Sequence, residues 1–227
     1  MESRIQPAED TAGLERDWWL RVPAVLQSPR AVFSWFRRDS VTEAEARQEP
    51  VLALVLLAGI SGILSLDATG TLLDYPTRAG SLPVDTGILP VLIFIQGALY
   101  GTAVYWLGGL VVYLGLRGAG STMSYRTSRQ VLAYAAVPLL LPLVLLWPLK
   151  LAVYGTDVFR SGGSDAGTGA DVFKVLELVF VAWAVGLLVL AIRTVNGWTL
   201  PRTLGSLALA AFALVGLSLV AVILSAG

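Results

Sequence analysis

The chain has 227 residues, 16 basic and 16 acidic side chains, and a formal net charge of zero at pH 7. Hydrophobic residues make up 56% of it, charged residues only 14%, and the mean hydropathy is +0.72. This composition excludes the soluble globular classes, and the zero net charge gives no reason to expect nucleic-acid binding. Cysteine and histidine are both absent. Disulfides, thiolate metal sites and histidine-based catalysis are therefore excluded, and we predict neither a cofactor nor a metal site.

Five long apolar runs occupy most of the chain, at about residues 51–66, 88–116, 131–149, 175–192 and 203–226. Each is close to or longer than the ~17–20 residues that a helix needs to cross ~30 Å of hydrocarbon. The sequence therefore predicts an all-α polytopic membrane protein, a bundle of five transmembrane helices formed by residues 47–227. Residues 1–46 would form a cytoplasmic or interfacial N-terminal segment.

Aromatic and arginine side chains are mixed over residues 18–38 of this N-terminal segment. Aromatic rings favour the headgroup region of a bilayer, and arginines favour anionic lipid on its inner face. Pro23 and Pro29 argue against one continuous helix, so we expect two short interfacial pieces. The segment serves either as a depth anchor or as a docking element for a partner. The candidate residues are Trp18, Trp19, Phe33, Trp35 and Phe36.

Glycines recur along the second apolar run, at Gly97, Gly101, Gly108 and Gly115. The last three are spaced by seven, which places them on one face of a regular helix. Small residues on one face let another helix approach closely. We expect a neighbouring span of the same chain to pack there, and homodimerisation through this face is the alternative.

Prolines interrupt the third apolar run at Pro138 and Pro142. Broken helices in transporters often contain proline, because the freed carbonyl groups can coordinate a substrate or an ion. Prolines are also common in ordinary membrane helices, where neighbouring helices satisfy the backbone. The ordinary interpretation is preferred from the sequence alone.

Glu177 is the only acidic residue within an apolar run, and an intramembrane carboxylate is a functional hypothesis by default. It lies about one turn below the predicted outer boundary. Lys174, three residues earlier, lies on the same helical face and is the expected partner of an interfacial ion pair. The alternative is a proton or cation site, in which Gln96 of the second run would take part.

The loops alternate in basic content, which predicts the orientation. Lysine and arginine are retained on the cytoplasmic side during insertion. The N-terminus is therefore predicted inside and the C-terminus outside, in a plasma membrane. The two outer loops, at about 67–86 and 154–171, are expected to be solvated, flexible connections. Twelve of the 16 basic residues fall on the inner side: Arg4, Arg16, Arg21, Arg30, Arg37, Arg38, Arg47, Arg117, Arg126, Arg129, Arg193 and Arg202.

Several short motifs occur in a fixed order along the chain. Tyr134-Ala-Ala-Val-Pro138, a Y-x-x-x-P pattern, stands at the start of the third run. The others are Leu26-x-Ser28-Pro29-x-x-x-Phe33 before the first run, the Gly108-Gly109 pair, Ser128-Arg129-Gln130, and Arg193-Thr-Val-Asn196-Gly197 after the fourth run. Together these motifs resemble the Yip family of five-span membrane proteins, and the Y-x-x-x-P pattern, which is similar to a signature of the family, is the most specific of them.

The resemblance implies a non-enzymatic protein, because the family has no established catalytic residues. Its eukaryotic members are associated with Rab GTPases and vesicle traffic, and some bacterial members resemble accessory subunits of ABC-type exporters. We therefore expect a bacterial membrane scaffold or accessory subunit. Its partners would be membrane lipids and other membrane proteins, such as an ABC-type exporter, a larger membrane complex or a second copy of the chain. The alternative is a small-solute or ion transporter, or a subunit of one, using Glu177 and the proline-broken third span.

Overall fold

The computed structural model describes residues 18–37, 48–65, 74–77, 80–83, 86–160 and 168–226. Over these residues the chain is mainly helical. The α-helices are α1 (Trp18–Gln27), α2 (Pro29–Trp35), α3 (Gln48–Ser65), α4 (Leu89–Gly118), α5 (Tyr125–Ala135), α6 (Leu141–Tyr154), α7 (Thr168–Asn196) and α8 (Leu200–Ala226). Val104–Gly108 is a π-helical turn inside α4, which is regular on either side of it.

Apolar helices stand at all five predicted positions. Three are long and apolar enough to cross a membrane, at Leu89–Gly118, Val137–Phe159 and Thr168–Asn196. Two further apolar helices, Val51–Ser65 and Leu200–Gly216, are shorter when only residues with described side chains are counted. The predicted class, an all-α polytopic membrane protein, is confirmed.

The third span is broken where its prolines lie. Ser124 caps α5 by accepting a hydrogen bond from the Thr127 backbone N–H at 3.1 Å. A 3₁₀ turn, Val137–Leu140, then separates α5 from α6. Pro138 near the start of the turn has no N–H to donate, so the α-helical hydrogen-bond pattern cannot continue through it. Pro142 lies in the first turn of α6, where a missing N–H costs nothing.

A short hairpin lies in the loop between α3 and α4, which differs from the irregular connection that the sequence predicted. β1 (Asp74–Thr77) pairs antiparallel with β2 (Gly80–Pro83), with Asp74 opposite Pro83 and Thr77 opposite Gly80. Two residues connect the strands, the usual length of a tight hairpin connection. Strands of four residues carry too little alternation to be recognised from sequence.

The N-terminal segment forms two short helices, as predicted, with the break at Ser28. Pro23 is accommodated inside α1. Phe33 and Phe36 are buried, 0% and 7% exposed, in the largest hydrophobic core. The Phe36 ring packs edge-on against Tyr134 of α5, with a centroid distance of 5.5 Å. α2 therefore packs into the helical bundle and is held there by aromatic contacts.

The long helix α4 packs on different neighbours along its two halves. Its first half lies against α3, and its second half lies against α8 and α5. The end of α4, the start of α5, the end of α7 and the start of α8 meet at one end of the molecule. We call this the arginine end, because Arg117, Arg126, Arg193 and Arg202 belong to it.

Candidate functional site

A buried ion pair joins α6 and α7. Nζ of Lys150 donates a hydrogen bond to Oε1 of Glu177 at 3.3 Å, and the two side chains are only 7% and 9% exposed. Glu177 lies nine residues into α7, about 14 Å from its first residue.

Aromatic rings surround the lysine of this pair. Nζ of Lys150 lies 4.6 Å from the ring centroid of Trp147 and 5.9 Å from that of Phe173. Trp147 in turn stacks on Phe159, with ring planes 10° apart. Rings placed in this way stabilise a desolvated ammonium group through their quadrupoles and exclude water from it. The arrangement pairs the two opposite charges within the chain.

The predicted polar candidates do not form one site. Lys174, expected to pair with Glu177, is exposed, although its charge also acts on the carboxylate. The hydrogen-bonded partner is Lys150, which is 27 residues away in the chain. Gln96 is exposed on the surface of α4 and does not belong to the pair. Sequence reasoning missed Lys150 because a lysine near the end of a span resembles an ordinary loop residue.

The glycines of α4 are packing positions, as predicted, but they contact three different helices. A Cβ atom at Gly97 would meet Ile60 of α3, and one at Gly101 would meet the Val55 carbonyl and Gly59 of the same helix. A Cβ atom at Gly108 would lie 3.2 Å from Leu132 of α5, and one at Gly115 would meet Ser206 and Ala210 of α8. The prediction of a single shared face is wrong, since the π turn at Val104–Gly108 breaks the seven-residue spacing.

The expected interfacial aromatics divide into two groups. Phe33 and Phe36 are buried among residues of the same chain, so their prediction as partner-binding residues is wrong. They were assigned to the interface because they neighbour arginines, yet they pack on Tyr134, the first residue of the Y-x-x-x-P motif. Pro138, the last residue of that motif, is also buried. Trp35 is half-buried. Trp18 and Trp19 begin α1, and their side chains lie outside the described residues.

Asn196 and Gly197 connect the two loops at the arginine end. Oδ1 of Asn196 accepts a hydrogen bond from the Ser121 hydroxyl at 2.6 Å, and its Nδ2 donates to the Ile192 carbonyl at 3.0 Å. Gly197 has a φ of +65°, a conformation that ends α7 and favours glycine. These two residues of the Arg193–Gly197 motif therefore have a structural role, which fixes the α7–α8 turn against the loop before α5.

Three aromatic rings surround Arg129 near the start of α5. Its Cζ lies 3.7 Å from the ring centroid of Trp106, 4.5 Å from that of Tyr125 and 5.1 Å from that of Tyr105. The Tyr125 hydroxyl donates to the Trp106 carbonyl at 2.7 Å, which joins α5 to the π turn of α4. The residue is only 9% exposed. We call Arg129 and these three rings the arginine cage.

A methyl group at Gly109 would overlap the Arg129 side chain, which explains why the second residue of the Gly108-Gly109 pair is glycine. From the sequence alone, Arg129 is only a loop charge and part of a short motif. The adjacent Tyr105 and Trp106, on the preceding span, were the available signal for the cage. Pairing them with an arginine 23 residues later requires the helix–helix register, which the sequence does not provide.

The buried pair, the packed glycines and the motif residues together define a helical membrane domain with no assembled nucleophile–base arrangement among the described residues. The family model of the Yip1 domain matches residues 24–223, almost the whole chain, and the protein belongs to this family of multi-span membrane proteins. The predicted resemblance is confirmed. No curated protein and no solved structure matches the chain significantly.

Proposed function

We propose that the protein is a non-enzymatic scaffold or accessory subunit that binds another membrane protein through the exposed face of α4. The observation that supports this most is the position of Gln96. Its amide is exposed seven residues into α4, about 10 Å from the first residue of the helix. Within the most apolar part of α4, only 11% of the residues are buried by the rest of the chain.

An amide that faces hydrocarbon is unfavourable unless a hydrogen-bond partner reaches it. Helices that associate in a membrane commonly use such side chains as cross-helix hydrogen-bonding groups. Leu99 and Ala103, three and seven residues further along, are also exposed and lie on the same face as Gln96. A helix of a partner protein would cover this face and supply a polar group for the amide.

The partner class favoured by family resemblance is a multi-span transporter of the ABC type, with a second copy of the chain as the other candidate. Trp18 and Trp19 on α1 would provide an additional contact at the membrane surface. The buried Lys150–Glu177 pair gives less support to the alternative of ion transport. Its carboxylate is already neutralised by a lysine of the same chain, so no charge is left for a transported cation.

The test is photo-crosslinking in native membranes. A benzophenone amino acid at Leu99 should give a discrete protein adduct, which mass spectrometry then identifies. The same amino acid at Leu178, 64% exposed on α7, is the matched control and should give lipid adducts only. Gln96→Leu should weaken the Leu99 adduct about fivefold, since a hydrogen bond between membrane helices contributes about 1 kcal/mol.

Ala182→Leu adds an equal aliphatic side chain on an exposed face of α7 and should leave the Leu99 adduct unchanged. An adduct of twice the chain mass would identify a second copy as the partner. Only lipid adducts at Leu99, with no protein adduct, would refute the proposal.

A further inference from the structure

An apolar cavity of about 250 Å³ lies between α3, α4, α5 and α7. Its wall runs from Leu54 to Gly62 on α3 and from Val181 to Leu188 on α7. At 1.5 Å per residue these stretches give a length of about 10–12 Å.

The lining determines what suits the cavity. Water is disfavoured, because the lining is aliphatic apart from Tyr100 and Tyr105, and an ordered water needs two or more polar partners. An empty cavity is also unfavourable, since its walls lack dispersion contacts on one side. A hydrocarbon chain needs no polar partner and fits the apolar lining.

A buried cation lies beside this cavity. Tyr105 forms part of the cavity wall and is also one ring of the arginine cage, with its centroid 5.1 Å from Cζ of Arg129. Nε of Arg129 is enclosed and has no hydrogen-bond partner among the described residues. The surrounding stretches 101–135 and 178–226 contain no aspartate or glutamate.

A buried charge is costly unless it is paired, and three aromatic rings compensate for only part of that cost. The missing partner is an anion. Arginine favours phosphate because its planar guanidinium donates several hydrogen bonds in a fixed geometry. Arg126, three residues earlier on α5, adds a second positive charge to this stretch of the helix.

We propose that the cavity and the arginine cage together bind one anionic phospholipid. Its acyl chain lies in the cavity, and its phosphate contacts the guanidinium of Arg129. This site is separate from the partner-binding face on α4, because Gln96 and Leu99 do not line the cavity. It can therefore exist whether or not a protein partner binds.

The proposal is tested by lipid binding to the delipidated full-length protein, measured by native mass spectrometry. Phosphatidylglycerol and phosphatidylcholine with identical acyl chains are the two probes. One molecule of phosphatidylglycerol should bind at least ~10-fold more tightly than phosphatidylcholine, as expected for hydrogen bonds to a charged group. Inorganic phosphate should not compete, because it lacks the chain. Equal binding of both lipids, or competition by inorganic phosphate alone, would overturn the proposal.

Matched variants separate the two halves of the site. Arg129→Met should remove the preference for phosphatidylglycerol, whereas Arg126→Met should retain most of it. Ala58→Leu fills the cavity and should abolish tight binding of phosphatidylglycerol without lowering the melting temperature. Ala182→Leu, outside the cavity, should bind as the unmodified protein does. Unchanged binding in Ala58→Leu would show that no chain enters the cavity and would refute the inference, even if Arg129→Met failed to fold.

Discussion

Removing the amine of Lys150 should strongly destabilise the protein. In Lys150→Met, the Glu177 carboxylate stays buried and loses the ammonium group that lies 3.3 Å from it. Breaking one partner of a buried ion pair costs about 3–5 kcal/mol. We take about 3 kcal/mol, the lower end of that range, as the expected loss. For a chain of this size that corresponds to a fall in melting temperature of about 6–12 °C.

The assay is thermal unfolding of the purified protein in a mild detergent, followed by intrinsic fluorescence. Lys174→Met is the matched control, since Lys174 is exposed and should contribute at most ~1 kcal/mol. The double variant Lys150→Met/Glu177→Leu should recover most of the lost stability, because it leaves no unpaired charge. The reasoning is refuted if Lys150→Met is as mild as Lys174→Met, or if the double variant is as unstable as Lys150→Met.

Two further predictions concern packing and topology. Gly101→Leu should lower the melting temperature by several degrees, because its side chain would meet the α3 backbone. Gly186→Leu is the control and should not lower it, since no atom lies within 4 Å of a Cβ there. Equal effects of both substitutions would contradict the close contact at Gly101. In the cysteine-free chain, Ser81→Cys and Ser164→Cys should react with an impermeant maleimide in intact cells and Ser124→Cys only after lysis. Labelling of Ser124→Cys in intact cells would overturn the predicted orientation.

The spans could be predicted from the sequence because hydrocarbon requires about 20 apolar residues in a row, a signal that needs no tertiary information. The prolines of the third span were visible too, but the sequence alone favoured an ordinary membrane helix there over the break that the structure has at Val137–Leu140. The burial of Phe33 and Phe36 could not be predicted from the sequence. An aromatic residue beside arginine suits a membrane surface as well as a core, and only the contact with Tyr134 distinguishes the two.

The candidate sites were less predictable than the spans. Helical spacing predicts an ion pair between Glu177 and Lys174, whereas the residue that hydrogen-bonds Glu177 is Lys150, which lies on another helix. The arginine cage likewise joins residues of α4 and α5. Such pairings depend on the rotation and axial position of each helix, which are set by packing against several neighbours at once. Local periodicity contains no information on either.

The π-helical turn at Val104–Gly108 divides α4 into two halves whose packing surfaces point in different directions around the helix axis. One additional residue in a helix of 3.6 residues per turn rotates everything beyond it by about 100°. Gly101 and Gly115 consequently face different neighbours, although their spacing alone would align them. Deleting a single residue within the turn would restore the regular phase and move α8 and the arginine cage around the axis of α4 relative to α3. The relative orientation of the two halves of the bundle thus depends on the length of one five-residue segment.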